Sequence, residues 1–166
     1  INLEGDKIHS LLPVIRRFHA STIALCIDET GMAKTTTHKL EVARRLYELA
    51  VHDYGLPPQH LLIDPLTFSL ATGEKEYRDS AIDTFNALQQ IKQELPGVKT
   101  VLGVSNVSFG LTPPARKILN LAYLHHAVDH GLDYAIFNPA HYLNKDQISE
   151  KEFQLASDLI FNKDKN

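Results

Sequence analysis

The chain has 166 residues, 43% of them hydrophobic and 22% charged, with a net charge of −3 and a single cysteine. That length holds one domain with a real core, and the mild acidity with no lysine/arginine stripe argues against nucleic acid and anionic membrane surfaces as partners. One cysteine, Cys26, leaves no intrachain disulfide or cysteine zinc cluster, which suits the cytoplasm; no apolar run is long enough to span a bilayer, and no signal peptide is visible. The chain starts at Ile1 and reads as a processed product or a fragment.

After a loop over residues 2–6, Asp6 can cap a helix whose apolar face is Ile8, Leu11, Leu12, Ile15 and Phe18, with Pro13 expected to kink or delay it. Thr22–Ile27 is a short apolar run, read as a buried strand ending in Asp28-Glu29-Thr30-Gly31. Thr36 or Thr37 then caps a long helix with Leu40, Ala43, Tyr47, Ala50, Val51 and Tyr54 on one face, stopped by Gly55 and Pro57-Pro58. His60–Asp64 is a second strand, closed by Pro65, and residues 67–73 are loop. A third helix runs from about Glu76 to Leu95, with Ala81, Phe85, Leu88 and Leu95 inward, and Pro96-Gly97 stops it.

Thr100–Ser105 is the third strand and leads into a polar tip, Ser105-Asn106-Val107-Ser108, before Phe109 and Gly110. Thr112 caps the next helix with Pro113 at its first position; Ile118, Leu119, Ala122 and His126 lie on it, and it ends at Gly131. Tyr134–Phe137 is the fourth strand, closed by Asn138-Pro139. Ser149 and Glu152 form a capping box for a last helix with Phe153, Ala156, Leu159 and Ile160, which frays into the charged tail Lys163–Asn166.

The fold class is therefore α/β: strict alternation of helices and buried strands implies a parallel sheet with right-handed crossovers. The strands end in Asp28-Glu29, Asp64, Ser105-Asn106 and Asn138, a polar rim where such folds bind ligands. A complete (β/α)8 barrel takes about 250 residues. Four strands, preceded by a helix with no strand before it, look like the carboxyl-terminal half of one.

Phosphate-loop, dinucleotide, serine-hydrolase and zinc-protease motifs are absent. No metal site is expected: His125 and His126 are adjacent on a helix and point in different directions, which suits helix packing and surface better than ligation. Cys26 reads as a small buried hydrophobe. Asp64, at the mouth of the sheet, can accept two parallel hydrogen bonds from a planar N–H/NH2 edge of the kind a pterin presents, or can cap a helix or pair with a surface cation. Asp28 and Glu29 read more simply as a solvated loop than as a cation or substrate site. Asn106 either satisfies loop backbone groups or does chemistry; it cannot act as an ordinary acid, but it can hold and reorient a hydrogen bond as charge develops.

The segments LLIDPLTFSLATG and GVSNVSFGL, followed by a proline-containing turn and Arg116, carry a family resemblance, supported by CIDETGMAKTTTHKLEVARRLYELA and GLDYAIFNP. Together they closely resemble the pterin-binding domain of cobalamin-dependent methionine synthases. The likeness extends to the related corrinoid methyltetrahydrofolate methyltransferases and, more distantly, to dihydropteroate synthase. It implies a TIM-type barrel that binds methyltetrahydrofolate at the strand carboxyl ends, here strands five to eight over residues 1–166. Asp64 matches the family aspartate on the pterin amino-pyrimidine edge, Asn106 the asparagine near pterin N5, and Arg116 falls near an arginine on the substrate side.

The implied reaction moves the N5-methyl group to cob(I)alamin, in methionine biosynthesis. The corrinoid is carried by another domain or protein. Protonation or strong hydrogen bonding at N5 must accompany methyl departure, because the tetrahydrofolate amide anion leaves poorly. The family's earlier pterin ligands, its corrinoid-binding histidine motif and its zinc cysteines are not in this sequence. Two readings follow: part of a methyltransferase whose amino half lies in another chain or is replaced by self-association, or a truncated, non-catalytic pterin-binding or interaction fragment. A synthase resembling dihydropteroate synthase is disfavoured, since no lysine sits in a matching motif after the third or fourth strand.

Overall fold

The runs rich in leucine, isoleucine and valine pair as strands, and the helices between them lay their apolar stripes on one side. A computed structural model describes residues 1–163. In chain order the elements are α1 (Lys7–Arg17), β1 (Thr22–Leu25), β2 (Ile27–Asp28), β3 (Gly31–Met32), α2 (Thr36–Tyr47), β4 (Leu61–Asp64), α3 (Ser80–Glu94), β5 (Lys99–Gly103), α4 (Pro113–Asp129), β6 (Tyr134–Ile136) and α5 (Glu150–Ile160). The end of the predicted charged tail, from Asp164 on, lies outside the described residues.

β1, β4, β5 and β6 form a parallel sheet in that order. Each crossover thus moves to the next neighbour in the same direction. Right-handed crossovers then put every connecting helix on the same face, the winding of a barrel wall rather than of a doubly wound sheet with its reversal point. The molecule is an α/β fold consistent with part of a TIM-type barrel. Two clusters fill the space between sheet and helices: Ala24, Leu61 and Ile63 with Leu12, Leu46 and Ile91, and Leu102 with Phe85, Leu88, Leu119, Tyr123 and Ile160. Each large side chain fully buried there contributes about 1.5–3 kcal/mol.

The opposite face carries Leu25, Leu62, Asp64, Val101, Gly103, Tyr134 and Ile136, as the register and the two-residue alternation require. Tyr134 and Ile136 remain 53% and 54% exposed, so β6 is not the fully buried strand that its apolar sequence predicts.

Other departures have local causes. The predicted first strand stops at Leu25, and the polar DETG run folds into the hairpin β2–β3. Its Asp28 carboxylate accepts from the backbone and hydroxyl of Thr30, and Gly31 takes φ +108°. An extended segment, residues 1–3, precedes α1. The amino group of Ile1 donates to the Ile23 carbonyl (2.7 Å), Leu25 N–H donates to Ile1 (2.8 Å) and Leu3 N–H to Ile27 (2.9 Å), a parallel ladder along the outer edge of β1.

Within α1, Ile8 and Leu12 are buried while Leu11 and Phe18 are exposed, because the stripe is wider than the surface it covers. The helix continues through Pro13, which leaves the His9 carbonyl without its i+4 donor on a stretch where His9 and Ser10 are exposed. Thr35, not Thr36 or Thr37, caps α2, accepting from His38 N–H; Thr36 instead bonds Asp83 of α3 through its N–H (2.7 Å) and hydroxyl (2.6 Å). α3 begins at Ser80, later than predicted, because a short 3-10 turn takes residues 75–77. The capping box Ser149/Glu152 forms, but Leu159 of α5 points outward.

Candidate functional site

Asp64 ends β4 and is 8% exposed. Pro65 follows, so the chain must turn, and the Asp64 side chain closes that turn by accepting from Leu66 N–H at 2.8 Å. Leu66 is thereby held at φ +67°, a left-handed conformation that a leucine rarely adopts and that costs about 1–2 kcal/mol. Among the described residues the second carboxylate oxygen accepts no hydrogen bond from the protein, and the first keeps a free lone pair. Burial pushes the Asp64 carboxyl up to about 6, against the pull of the Leu66 N–H and the Lys39 charge.

Lys39, on α2, is the residue that the sequence hides. It is wholly buried, and its ammonium donates to the carbonyls of Pro65 and Leu66 (the latter at 3.2 Å) and lies 4.9 Å from the Phe68 ring centre. Burial lowers it to about 8. A lysine within a run of helix formers reads as solvated surface, and only the three-dimensional packing reveals it. Cys26 is buried as expected, its thiol pushed up to about 12 by burial.

Asn106 lies in a 3-10 turn, Val104–Ser108, directly after β5. Its side chain is exposed, and the amide rests over Gly103, where a Cβ would come within 3.1 Å of Nδ2. By strand geometry Asp64 stands beside Val101, and Gly103 is two residues farther on the same face, about 8 Å from Asp64. The two candidates thus share one face at the carboxyl end of neighbouring strands.

Arg116 does not reach into open space. Its Nε donates to the Ser108 hydroxyl (3.1 Å) and its Nη2 to the Ser105 carbonyl (3.2 Å). Ser108 is fully buried and donates to Asn120 Oδ1 at 2.7 Å. Arg116, Ser108 and Asn120 therefore brace the turn that presents Asn106. Ser108 and Asn120 escape a reading of the sequence, since one looks like loop and the other like helix surface. A further tie, Ser69 Oγ to the Phe109 carbonyl at 2.7 Å, joins the loop after β4 to the turn after β5.

The other rim residues are structural. Asp28 is buried, not a solvated loop residue: it takes His38 Nε2 at 2.9 Å, and Arg45 approaches at 3.5 Å. Burial pushes its carboxyl up, but the hydrogen bonds from His38 and Thr30 outweigh that and hold it at about 2. Glu29 pairs with Arg45 at 3.0 Å. Asn138 caps its own turn, accepting from Ala140 N–H at 3.0 Å. His126 bonds Ser157 of α5 at 2.9 Å, the helix-packing role its position predicts.

Residues 2–138 match the sequence profile of the pterin binding enzyme family. The chain is 40% identical over 152 residues to a methionine synthase of Mycobacterium leprae (strain TN), covering 92% of this chain and 13% of that protein. It is 39% identical over 164 residues to a methionine synthase of Mycobacterium tuberculosis (strain ATCC 25618 / H37Rv), covering 96% of this chain and 14% of that protein. The chain thus spans about one seventh of the length of these relatives.

Proposed function

The chain belongs to the pterin-binding enzymes, and on that footing we propose that it binds methyltetrahydrofolate and forms the carboxyl-terminal wall, strands five to eight, of a barrel that passes the N5-methyl group to cob(I)alamin. The same-direction strand order and the sheet face bearing exposed Tyr134 and Ile136 support a wall that closes against further strands. The corrinoid, held by another domain or protein, supplies the cobalt nucleophile. The setting is the cytoplasm, where a lone buried thiol stays reduced.

The observation that carries the reading is the Asp64 carboxylate: held by one backbone N–H, with lone pairs on both oxygens unengaged, on the same face as the Asn106 amide. A pterin's amino group and ring N–H donate in parallel to Asp64. The ring then extends along β5 toward Asn106, whose amide meets N5. Substrate binding needs Asp64 ionised. As the methyl group departs, N5 takes a proton from water, and Asn106 turns its amide so that its oxygen accepts a hydrogen bond from the new N5–H. Arg116 acts through Ser105 and Ser108 by fixing the turn.

Calorimetric titration of the purified protein with methyltetrahydrofolate tests this. Micromolar binding that disappears in Asp64→Ala and in Asn106→Ala is expected. Absence of heat in the unaltered protein at any accessible concentration would sink the proposal and favour an interaction fragment.

A further inference from the structure

A buried ammonium without a carboxylate partner is expensive, and replacing buried charges by apolar side chains of similar volume is often neutral for stability. Lys39 is such a group: wholly buried, and among the described residues in no ion pair. Its ligands are two successive main-chain carbonyls, Pro65 and Leu66, and the face of Phe68. Thr84 Oγ1, from α3, lies 3.0 Å from the same Leu66 carbonyl. Fixing these two carbonyls fixes the two peptide planes around Leu66, and with them the left-handed φ of +67°. The Leu66 N–H is then aimed at one oxygen of Asp64.

Resting on the pterin reading above, we propose that Lys39 is a positioning residue for substrate. Its ammonium holds the Pro65-Leu66 turn so that the Asp64 carboxylate is presented, ionised and correctly turned, to the pterin's amino-pyrimidine edge. Its charge also opposes the upward push of burial on the Asp64 carboxyl. The other titratable groups close enough to act on the pair are Cys26 at the end of β1, Asp83 on α3 and Tyr123 on α4. Cys26 and Tyr123 are neutral at working pH, since burial raises both. Among these groups Lys39 is therefore the cation that, with the Leu66 N–H, favours the ionised form of Asp64.

The test is Lys39→Met, with Lys39→Arg as the conservative variant, in the intact protein. Thermal melting, methyltetrahydrofolate binding across pH 5–9 and the titration of the Asp64 carboxyl by NMR are measured for each. In Lys39→Met the relief of a buried charge offsets the donor lost to the Pro65 carbonyl, so the melting point is expected to stay within about 4 °C of the unaltered protein while binding weakens at least about ten-fold, as a small misplacement of a ligand group does. The pH at which binding is lost on acidification rises, because Asp64 without its cation protonates earlier. Lys39→Arg recovers part of the affinity. Should Lys39→Met fail to fold, Lys39→Gln, whose amide donates to one carbonyl, carries the same expectation. If the unaltered protein binds and Lys39→Met binds equally well with the same pH profile, the inference is overturned alone. If the unaltered protein does not bind, the pterin reading fails first and this inference falls with it.

Discussion

Asp64→Asn is expected to stabilise the fold while abolishing ligand binding. Burial raises the Asp64 carboxyl from 3.8 to about 6. A folded-state value above the unfolded one means that the proton contributes stability fully below about pH 4, and that this contribution is lost as pH rises through 6. The two-unit difference corresponds to about 3 kcal/mol at pH 8, the cost of burying the ionised carboxylate. The isosteric amide avoids that cost, and its Oδ1 still accepts from Leu66 N–H. Lys39 loses an attractive charge, which offsets part of the gain, so about 1–3 kcal/mol remains. For a domain of this size that is a melting point higher by about 3–10 °C. Scanning calorimetry of both proteins at pH 8 and pH 4 checks it. The difference should be large at pH 8 and shrink to about 0.5 kcal/mol at pH 4, where Asp64 is protonated in the folded state and partly protonated in the unfolded one. A variant that melts lower at pH 8, or one whose advantage is the same at both pH values, would refute the argument.

Two other substitutions probe different parts of the molecule. The Thr100 hydroxyl donates to the Gly131 carbonyl at 2.7 Å and accepts from Asp133 N–H at 3.0 Å, at the amino end of β5. Thr100→Val keeps the shape, leaves both backbone groups unpaired and is expected to cost about 2–3 kcal/mol, read as a lower urea midpoint with unchanged slope. Gly103→Ala adds a methyl group on a backbone of ordinary φ −76°, 3.1 Å from the Asn106 amide nitrogen. It is expected to change stability by less than about 0.5 kcal/mol while weakening the methyltetrahydrofolate binding proposed above, because only the resting place of Asn106 is taken; unchanged binding in a calorimetric titration would count against the role proposed for Asn106.

The fold was legible because its strands are short blocks of β-formers bounded by proline, glycine and polar residues. Leu61-Leu62-Ile63 and Thr100-Val101-Leu102 admit no amphipathic alternative. The placement of Asp64 and Asn106 at the carboxyl ends of strands was legible because they follow such blocks. Lys39 was not, since helix periodicity assigns a lysine to solvent and only the carbonyls of a distant turn draw it inside. Arg116, expected near the substrate side, also braces its own turn, and an arginine at the start of a helix gives no hint that its donors fold back onto Ser105 and Ser108. The apolar face of α1 was drawn too wide because sequence shows which residues prefer burial, not how much surface there is to bury them against.

The bond from Ser69 to the Phe109 carbonyl has a consequence for the order of events at the rim. The segment after β4 leads away from the aspartate, and the turn after β5 carries the asparagine; tied together, they give up their conformational freedom jointly rather than one after the other. Under the proposed function, a pterin that settles against Asp64 then meets part of the entropic cost of ordering Asn106. On the proposed reading, binding at one end of the ligand and order at the other are then linked through one hydroxyl group in neither role.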